Sequence, residues 1–257
     1  MIGKQIRIER IMDRNTGKAV IIPMDHGMTL GQIDGLLNMT DTVAEVSDGG
    51  ANAIILHKGL VRPGHRRKGR DIGLIIHLSA GTSLNPDPND KVLICSVEEA
   101  VSLGADAVSI HINLGAPQES KMIESAGQVV RDCNRWGIPL LAMIYPRGRG
   151  IDPNNPGHVG HAVRVAEELG ADLVKTNYTG DPESFAKIVK ASSIPVLIAG
   201  GEKGEDIDTY RTIYDAVHFA KCAGVCMGRN AFQRDNVAKF VSNVSQVVHQ
   251  GARPETL

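Results

Sequence analysis

The sequence predicts an α/β protein of the (β/α)8, or TIM barrel, class, and three observations predict it. Eight short apolar runs alternate with helical patterns along the chain. The runs are nearly continuously apolar and end in polar residues, as strands covered on both faces do. A weak repeat joins helix to strand at Gly50-Ala51-Asn52-Ala53, Gly104-Ala105-Asp106-Ala107 and Gly170-Ala171-Asp172-Leu173, with a looser copy at Cys222-Ala223-Gly224-Val225. The length, 257 residues, suits one such barrel. A doubly wound open sheet is the alternative, weakened because no Gly-x-Gly-x-x-Gly turn follows the first run. No linker or low-complexity tract interrupts the chain. One domain is therefore expected over 1–257, with an N-terminal extension at 1–17 and the barrel at 19–250.

The elements follow in order. Residues 4–14 place Ile6, Ile8, Ile11 and Met12 among charges and predict a short amphipathic helix. Asn15-Thr16-Gly17 is a turn. The first strand runs from Ala19 towards Met24 and ends in Asp25-His26-Gly27. Thr40 to Asp48 is helical and stops at Gly49-Gly50. The second strand is Ala53 to Gly59 and the third is Ile72 to Ser79. Ser96-Val97-Glu98-Glu99 opens a helix that ends at Gly104, and the fourth strand is Ala107 to Asn113. Helix 119–136 has Gly137 as its C-cap, with Pro139 just beyond. The fifth strand is Leu140 to Tyr145, followed by helix 157–169 and a sixth strand around Lys175. Asp181-Pro182 is an N-cap with proline in the first turn. The seventh strand is Pro195 to Gly201, and the eighth, Gly224 to Gly228, lies between helices 207–222 and 235–249.

Bulk properties exclude several function classes. Lys plus Arg number 28 against 29 Asp plus Glu, and aromatics are 4%. Neither a nucleic-acid partner nor a membrane partner is signalled. Cys95, Cys133, Cys222 and Cys226 form no Cys-x-x-Cys pair and read as small buried hydrophobes. Met1 to Arg10 lacks the apolar run of a secretory signal, and no run reaches bilayer length, so a cytoplasmic location is expected.

In a barrel, chemistry sits at the C-terminal strand ends. Lys175 stands inside a strand, where an unpaired ammonium is costly. Such a lysine is either paired or kept partly neutral by desolvation, and a neutral amine can form a Schiff base with a carbonyl. Asp25 and Tyr145 end other strands; a carboxylate can take a proton from a substrate hydroxyl or carbon, and a phenol can donate or accept one. Gly200-Gly201 and Gly228-Arg229 end strands seven and eight, where barrels bind phosphate, and Lys203 could assist. Lys58 is a rival nucleophile, beside a loop carrying Arg62, His65, Arg66, Arg67, Lys68 and Arg70. That loop reads better as solvated or at a subunit interface, and Lys58 as structural or anion-binding.

Met24-Asp25-His26-Gly27, Tyr145-Pro146-Arg147-Gly148, Val174-Lys175-Thr176, Ala199-Gly200-Gly201 and Met227-Gly228-Arg229-Asn230 together resemble the archaeal-type class I fructose-bisphosphate aldolase family, over essentially the whole chain. Gly49 to Ala53, Leu56 to Gly59 and Gly73 to Ser79 resemble a branch of it that acts on L-aspartate semialdehyde. The resemblance implies a Schiff-base transaldolase in an alternative, dehydroquinate-forming route to aromatic amino acids. The donor would be a deoxyketohexose phosphate and the acceptor L-aspartate semialdehyde. It also implies a homodecamer without cofactor or metal. By position, Lys175 becomes the Schiff-base residue, Asp25 the proton acceptor and Tyr145 the proton donor. His26, Gly27, Met28, Thr29, Pro146, Arg147, Gly200, Gly201, Gly228 and Arg229 become the sugar-phosphate site. Ser79-Ala80-Gly81 departs from the Ser-Gly-Gly expected after the third strand.

Rival readings are a fructose-1,6-bisphosphate aldolase and an aldolase condensing dihydroxyacetone phosphate with aspartate semialdehyde in aminohydroxybenzoate biosynthesis. Two further readings belong to other classes. One is a metal-dependent barrel enzyme using His57, His77, His111 and Asp25. The other is a sugar-phosphate-binding protein without catalysis.

Overall fold

The computed structural model describes residues 1–66 and 68–257; Arg67, in the basic run, lies outside the described residues. Eight parallel strands close into a barrel in sequence order: β1 (Ala19–Pro23), β2 (Ala53–Leu56), β3 (Gly73–His77), β4 (Ala107–Leu114), β5 (Leu140–Pro146), β6 (Leu173–Thr176), β7 (Val196–Ala199) and β8 (Gly224–Cys226). The fold is a TIM barrel. Closure brings Ala19 against Gly224. The backbones approach so closely there that a Cβ on Gly224 would lie 2.0 Å from the Ala19 carbonyl oxygen.

The helices are α1 (Ile2–Ile11), α2 (His26–Leu30), α3 (Met39–Asp48), α4 (Val97–Ser102), α5 (Glu119–Trp136), α6 (Pro156–Leu169), α7 (Pro182–Ala191), α8 (Asp206–Tyr214), α9 (Arg229–Phe232) and α10 (Val237–Ser245). Their starts follow capping chemistry. Ser96 accepts the Glu99 amide at 3.1 Å and Asp181 that of Ser184 at 2.8 Å. Between β2 and β3 the described residues form only the single turn Lys58–Leu60 and a loop, not a helix. Arg66 fastens that loop to α3 through the Ala44 carbonyl and Asp48, while Arg62, His65, Lys68 and Arg70 are exposed. A two-stranded hairpin, Ser79–Ala80 with Val92–Leu93, follows β3; sequence periodicity did not reveal it.

The repeat has a structural meaning. Gly50, Gly104 and Gly170 all take positive φ, between 86° and 90°, to reverse the chain after a helix. Two residues on, Asn52, Asp106 and Asp172 accept the amide N–H groups of Val20, Leu74 and Leu140 at 2.7–2.9 Å, satisfying strand-start donors of the preceding β unit. The fourth copy is displaced by one residue from its expected frame. Lys221 takes the positive φ, and Gly224 opens β8 as Ala53, Ala107 and Leu173 open theirs.

Helix α1 closes the N-terminal end of the barrel. Ile11 and Met12 are buried beneath Ala19, Ile21, Ala53 and Ile55, while Ile6, expected on the apolar face, is exposed. Lys4 pairs with Asp172 at 2.8 Å, and Arg10 with Asp71 and Asp106, so two repeat aspartates also anchor α1. Two apolar layers result, one inside the barrel and one between strands and helices. Among the described residues no helix is long and apolar enough to cross a membrane.

Candidate active site

A strand alternates sides with period two, and here that alternation selects the mouth of the barrel. On β1, Ala19 and Ile21 face inward, and continuing the alternation reaches Asp25. On β2, Ala53 and Ile55 lead to His57; on β3, Ile75 leads to His77. On β4, Ala107 and Ser109 lead to His111; on β5, Leu141 and Met143 lead to Tyr145; on β6, Leu173 leads to Lys175. An apolar floor thus rises into a ring of titratable side chains at the C-terminal end.

Lys175 is 8% exposed. Asp25 stands between two imidazoles, with His26 Nδ1 and His77 Nε2 each 3.7 Å from one of its oxygens. His77 Nδ1 meets the Ser109 hydroxyl at 2.8 Å, and its ring packs edge-on to His57. Tyr145 lies edge-on to His111, with the Arg147 guanidinium 4.5 Å above its ring. His111 Nε2 meets Asn113 Oδ1 at 2.8 Å, and Asn113 donates to the Asn89 carbonyl.

Burial opposes ionisation of Asp25, yet His77, His26, Lys175 and His57 hold its carboxyl well below the usual range. Burial pushes the His77 imidazole down to about 4, and lowers His26 and His57 as well. These rings are neutral at pH 7, leaving the Lys175 ammonium as the standing countercharge of Asp25. For Lys175, burial favours the neutral amine, but Cys226, Tyr145 and Asp25 outweigh it and raise its pKa. Burial pushes the Cys226 thiol up to about 11 and also raises the Tyr145 phenol. Burial and neighbouring charge thus pull in opposite directions on Lys175, and its pKa moves up rather than down.

The opposite side of the mouth is built from backbone. Gly201 takes positive φ after β7, and Gly228 precedes α9. The Asn230 amide donates to the Gly200 and Glu202 carbonyls at 2.7 and 2.9 Å, tying the two strand ends together. A Cβ on Gly228 would lie 2.4 Å from His26 Cε1, so only glycine lets the β8 end approach β1. Arg229 Nε and His26 Nδ1 are buried without a hydrogen-bond partner beside these glycines, which suits an anion. Arg229 also meets Glu202 at 3.4 Å.

Of the residues singled out from sequence, Asp25, Tyr145 and Lys175 share this mouth. His26, Pro146, Arg147, Gly200, Gly201, Gly228 and Arg229 surround it. Gly27 is half-buried in α2, whereas Met28 is exposed at the rim and the Thr29 hydroxyl is engaged with the Gly81 carbonyl at 3.1 Å. Lys203 is exposed. Lys58 lies outside the barrel, paired with Glu99 at 3.0 Å. Among the described residues no three His, Cys, Asp or Glu side chains, His57, His77 and His111 included, are arranged to hold a metal ion. Sequence reasoning passed over Cys226, Ser109 and Asn230. Inward alternation on β8 and β4 marks the first two; nothing local marks the bonds of Asn230.

A family model described as DeoC/LacD family aldolase matches residues 19–234. The 2-amino-3,7-dideoxy-D-threo-hept-6-ulosonate synthase of Halobacterium salinarum is 46% identical over 98% of this chain and 94% of its own. The 2-amino-4,5-dihydroxy-6-oxo-7-(phosphonooxy)heptanoate synthase of Streptomyces griseus is 40% identical over 96% and 90%. An archaeal fructose-1,6-bisphosphate aldolase, solved with its catalytic lysine covalently bound to the carbinolamine intermediate, superposes with a TM-score of 0.85 at 33% identity, covering 95% of this chain and 98% of its own.

Proposed function

This chain belongs to the DeoC/LacD family of aldolases, and from that premise we propose that it is a Schiff-base transaldolase making 2-amino-3,7-dideoxy-D-threo-hept-6-ulosonate. The donor is 6-deoxy-5-ketofructose 1-phosphate and the acceptor L-aspartate semialdehyde. The observation that carries the reading is a buried lysine at the barrel mouth, sharing it with one carboxylate and one phenol.

An ammonium cannot add to a carbonyl, so Lys175 first yields a proton to Asp25. The free amine adds to the keto carbon, and Asp25 returns that proton to the departing hydroxyl as the carbinolamine becomes an imine. Asp25, again a carboxylate, then accepts the proton of the hydroxyl borne by the far carbon of the scissile bond. The carbon–carbon bond breaks, its electron pair forms the enamine, and hydroxypyruvaldehyde phosphate leaves. The enamine carbon attacks the acceptor aldehyde, whose oxygen takes a proton from Tyr145. Water then hydrolyses the imine and frees Lys175, and the proton held by Asp25 passes through that water to restore the Tyr145 phenol. Gly200, Gly201, Gly228 and Arg229 bind the phosphate in this reading, and His26, Gly27, Met28, Thr29, Pro146 and Arg147 line the approach. The chain is further proposed to form a homodecamer and to work in the cytoplasm without metal or cofactor.

Borohydride trapping with the donor, followed by peptide mapping, tests this. The expected result is an adduct on Lys175, with carbon–carbon bond formation only when aspartate semialdehyde is present. Turnover of fructose 1,6-bisphosphate alone would replace this reading with a glycolytic-type aldolase. Condensation of dihydroxyacetone phosphate with aspartate semialdehyde would favour the Streptomyces-like activity. No adduct with any of these carbonyls would overturn Schiff-base chemistry.

A further inference from the structure

In the reaction proposed above Asp25 takes up and gives back a proton twice. It is buried, and burial by itself favours the protonated acid. Four groups oppose that: His26 beside it in the chain, His57 after β2, His77 at the end of β3 and Lys175 on β6. Lys175 reacts, so its charge changes through the cycle. The histidines do not react, and one of them is held on every side.

That one is His77, which is buried. Its Nε2 stands 3.7 Å from Asp25 Oδ2, longer than a hydrogen bond but close enough for a dipole to act on a charge. At the other end of the ring, Nδ1 meets the Ser109 hydroxyl at 2.8 Å. Ser109 lies opposite His77 in the β3–β4 register, points into the barrel and is fully buried. Among the described residues its hydroxyl has no other hydrogen bond. The His57 ring packs edge-on against the third side, 5.3 Å between centroids. His26 also stands 3.7 Å from Asp25, but its side chain is partly exposed and its ring rests on Phe232 near the glycine cradle.

Burial keeps the His77 ring neutral at pH 7, so it has one N–H and one lone pair. The Ser109 hydroxyl suits either arrangement, because it can donate to a bare Nδ1 or accept from a protonated one. Asp25 breaks the tie. With the proton on Nδ1, the Nε2 lone pair would face a carboxylate. With the proton on Nε2, an N–H dipole faces it, and Ser109 fixes that tautomer from behind. We propose that Ser109 and His77 are a positioning pair for Asp25: the Ser109 hydroxyl donates to His77 Nδ1, and the Nε2–H so fixed holds Asp25 as a carboxylate, ready to take a proton. This rests on the transaldolase reading, which gives Asp25 its protons to carry.

NMR of isotope-labelled histidine nitrogens in the wild-type protein at pH 7, with His77 assigned by His77→Gln, tests the pair directly. His77 should show a bare Nδ1 and a protonated Nε2. A protonated Nδ1, alone or in a charged ring, would overturn the proposal with the transaldolase reading intact. His77→Leu should lower kcat on the order of 10- to 100-fold while the donor KM holds within about threefold. His77→Gln keeps an N–H donor near the Nε2 position and should recover most of that loss. Ser109→Ala should cost on the order of threefold to tenfold in kcat. Equal losses in His77→Leu and His77→Gln, a loss that falls on the donor KM, or no loss would reduce His77 to packing and overturn the proposal. Failure of the wild-type protein to form the Lys175 adduct would remove both readings, since Asp25 would then have no proton to carry.

Discussion

Two lysines end apolar runs of similar pattern, one after β2 and one on β6, and they have opposite fates. Lys58 follows Leu56-His57 and Lys175 follows Leu173-Val174. On β2 the inward set is Ala53, Ile55 and His57, so Lys58 falls on the outward face and reaches Glu99 of α4, its side chain 37% exposed. On β6 the inward residue is Leu173, so Lys175 falls inside, among Asp25, Tyr145 and Cys226. Composition and neighbours do not separate the two; a one-residue difference in strand parity does. That parity puts one ammonium in a surface ion pair and the other among buried polar groups at the barrel mouth.

The largest expected effect comes from removing the inner lysine. Lys175→Met should cost on the order of 10⁴-fold or more in kcat, because the covalent intermediate is lost outright. The fold should persist, since methionine fills similar volume in the barrel. Turnover assays with both substrates, beside far-UV circular dichroism, check this; activity within tenfold of wild type would return the nucleophile to Lys58 or to another group.

Much of this contrast was legible in the sequence. Eight strands, the helix caps at Ser96 and Asp181, and the grouping of Asp25, Tyr145 and Lys175 follow from period, turn chemistry and the rule that barrels act at their C-terminal ends. The Lys58 ambiguity was itself decidable: once Ala53 and Ile55 face inward, Lys58 cannot. What stayed hidden depends on long-range meetings. Asn113 reaches the Asn89 carbonyl of an aperiodic loop, and Asn230 joins two strand ends about 30 residues apart in sequence. The missing helix between β2 and β3 was equally unmarked, because the Arg-rich run there is held by Arg66 on α3 rather than by its own periodicity. The one-residue frame of the fourth repeat was misread: glycine signals the left-handed position in the other three copies, and Lys221 occupies it here.

A smaller effect sharpens the comparison through protons. Inside the barrel, His77 is pushed from 6.5 down to about 4, chiefly by burial. Between those values the unfolded chain holds a proton that the folded chain does not. Stability from this group is therefore complete above pH 6.5 and declines as pH falls towards 4, by about 3 kcal/mol. His26 and His57 act in the same direction. Urea unfolding of wild type and His77→Asn at pH 7 and pH 4.5 should show the variant with the shallower pH slope, whatever its absolute stability. Equal slopes would mean that the mouth stays solvated and that His77 titrates as a surface residue does.

The smallest effect belongs to the outer lysine, and it makes the parity argument exact in its consequences. Lys58 and Glu99 are both substantially exposed, so water already solvates each charge well and holding the two long side chains together costs conformational entropy. Lys58→Met should leave kcat/KM for both substrates within about twofold, because surface changes of this kind rarely exceed that. Borohydride should still mark Lys175 in that variant. A fall in activity matched by loss of the Lys175 adduct would show that the pair shapes the barrel from outside through α4. A fall with the adduct intact would instead place Lys58 in the path of a substrate, and strand parity alone would no longer separate the fates of the two lysines.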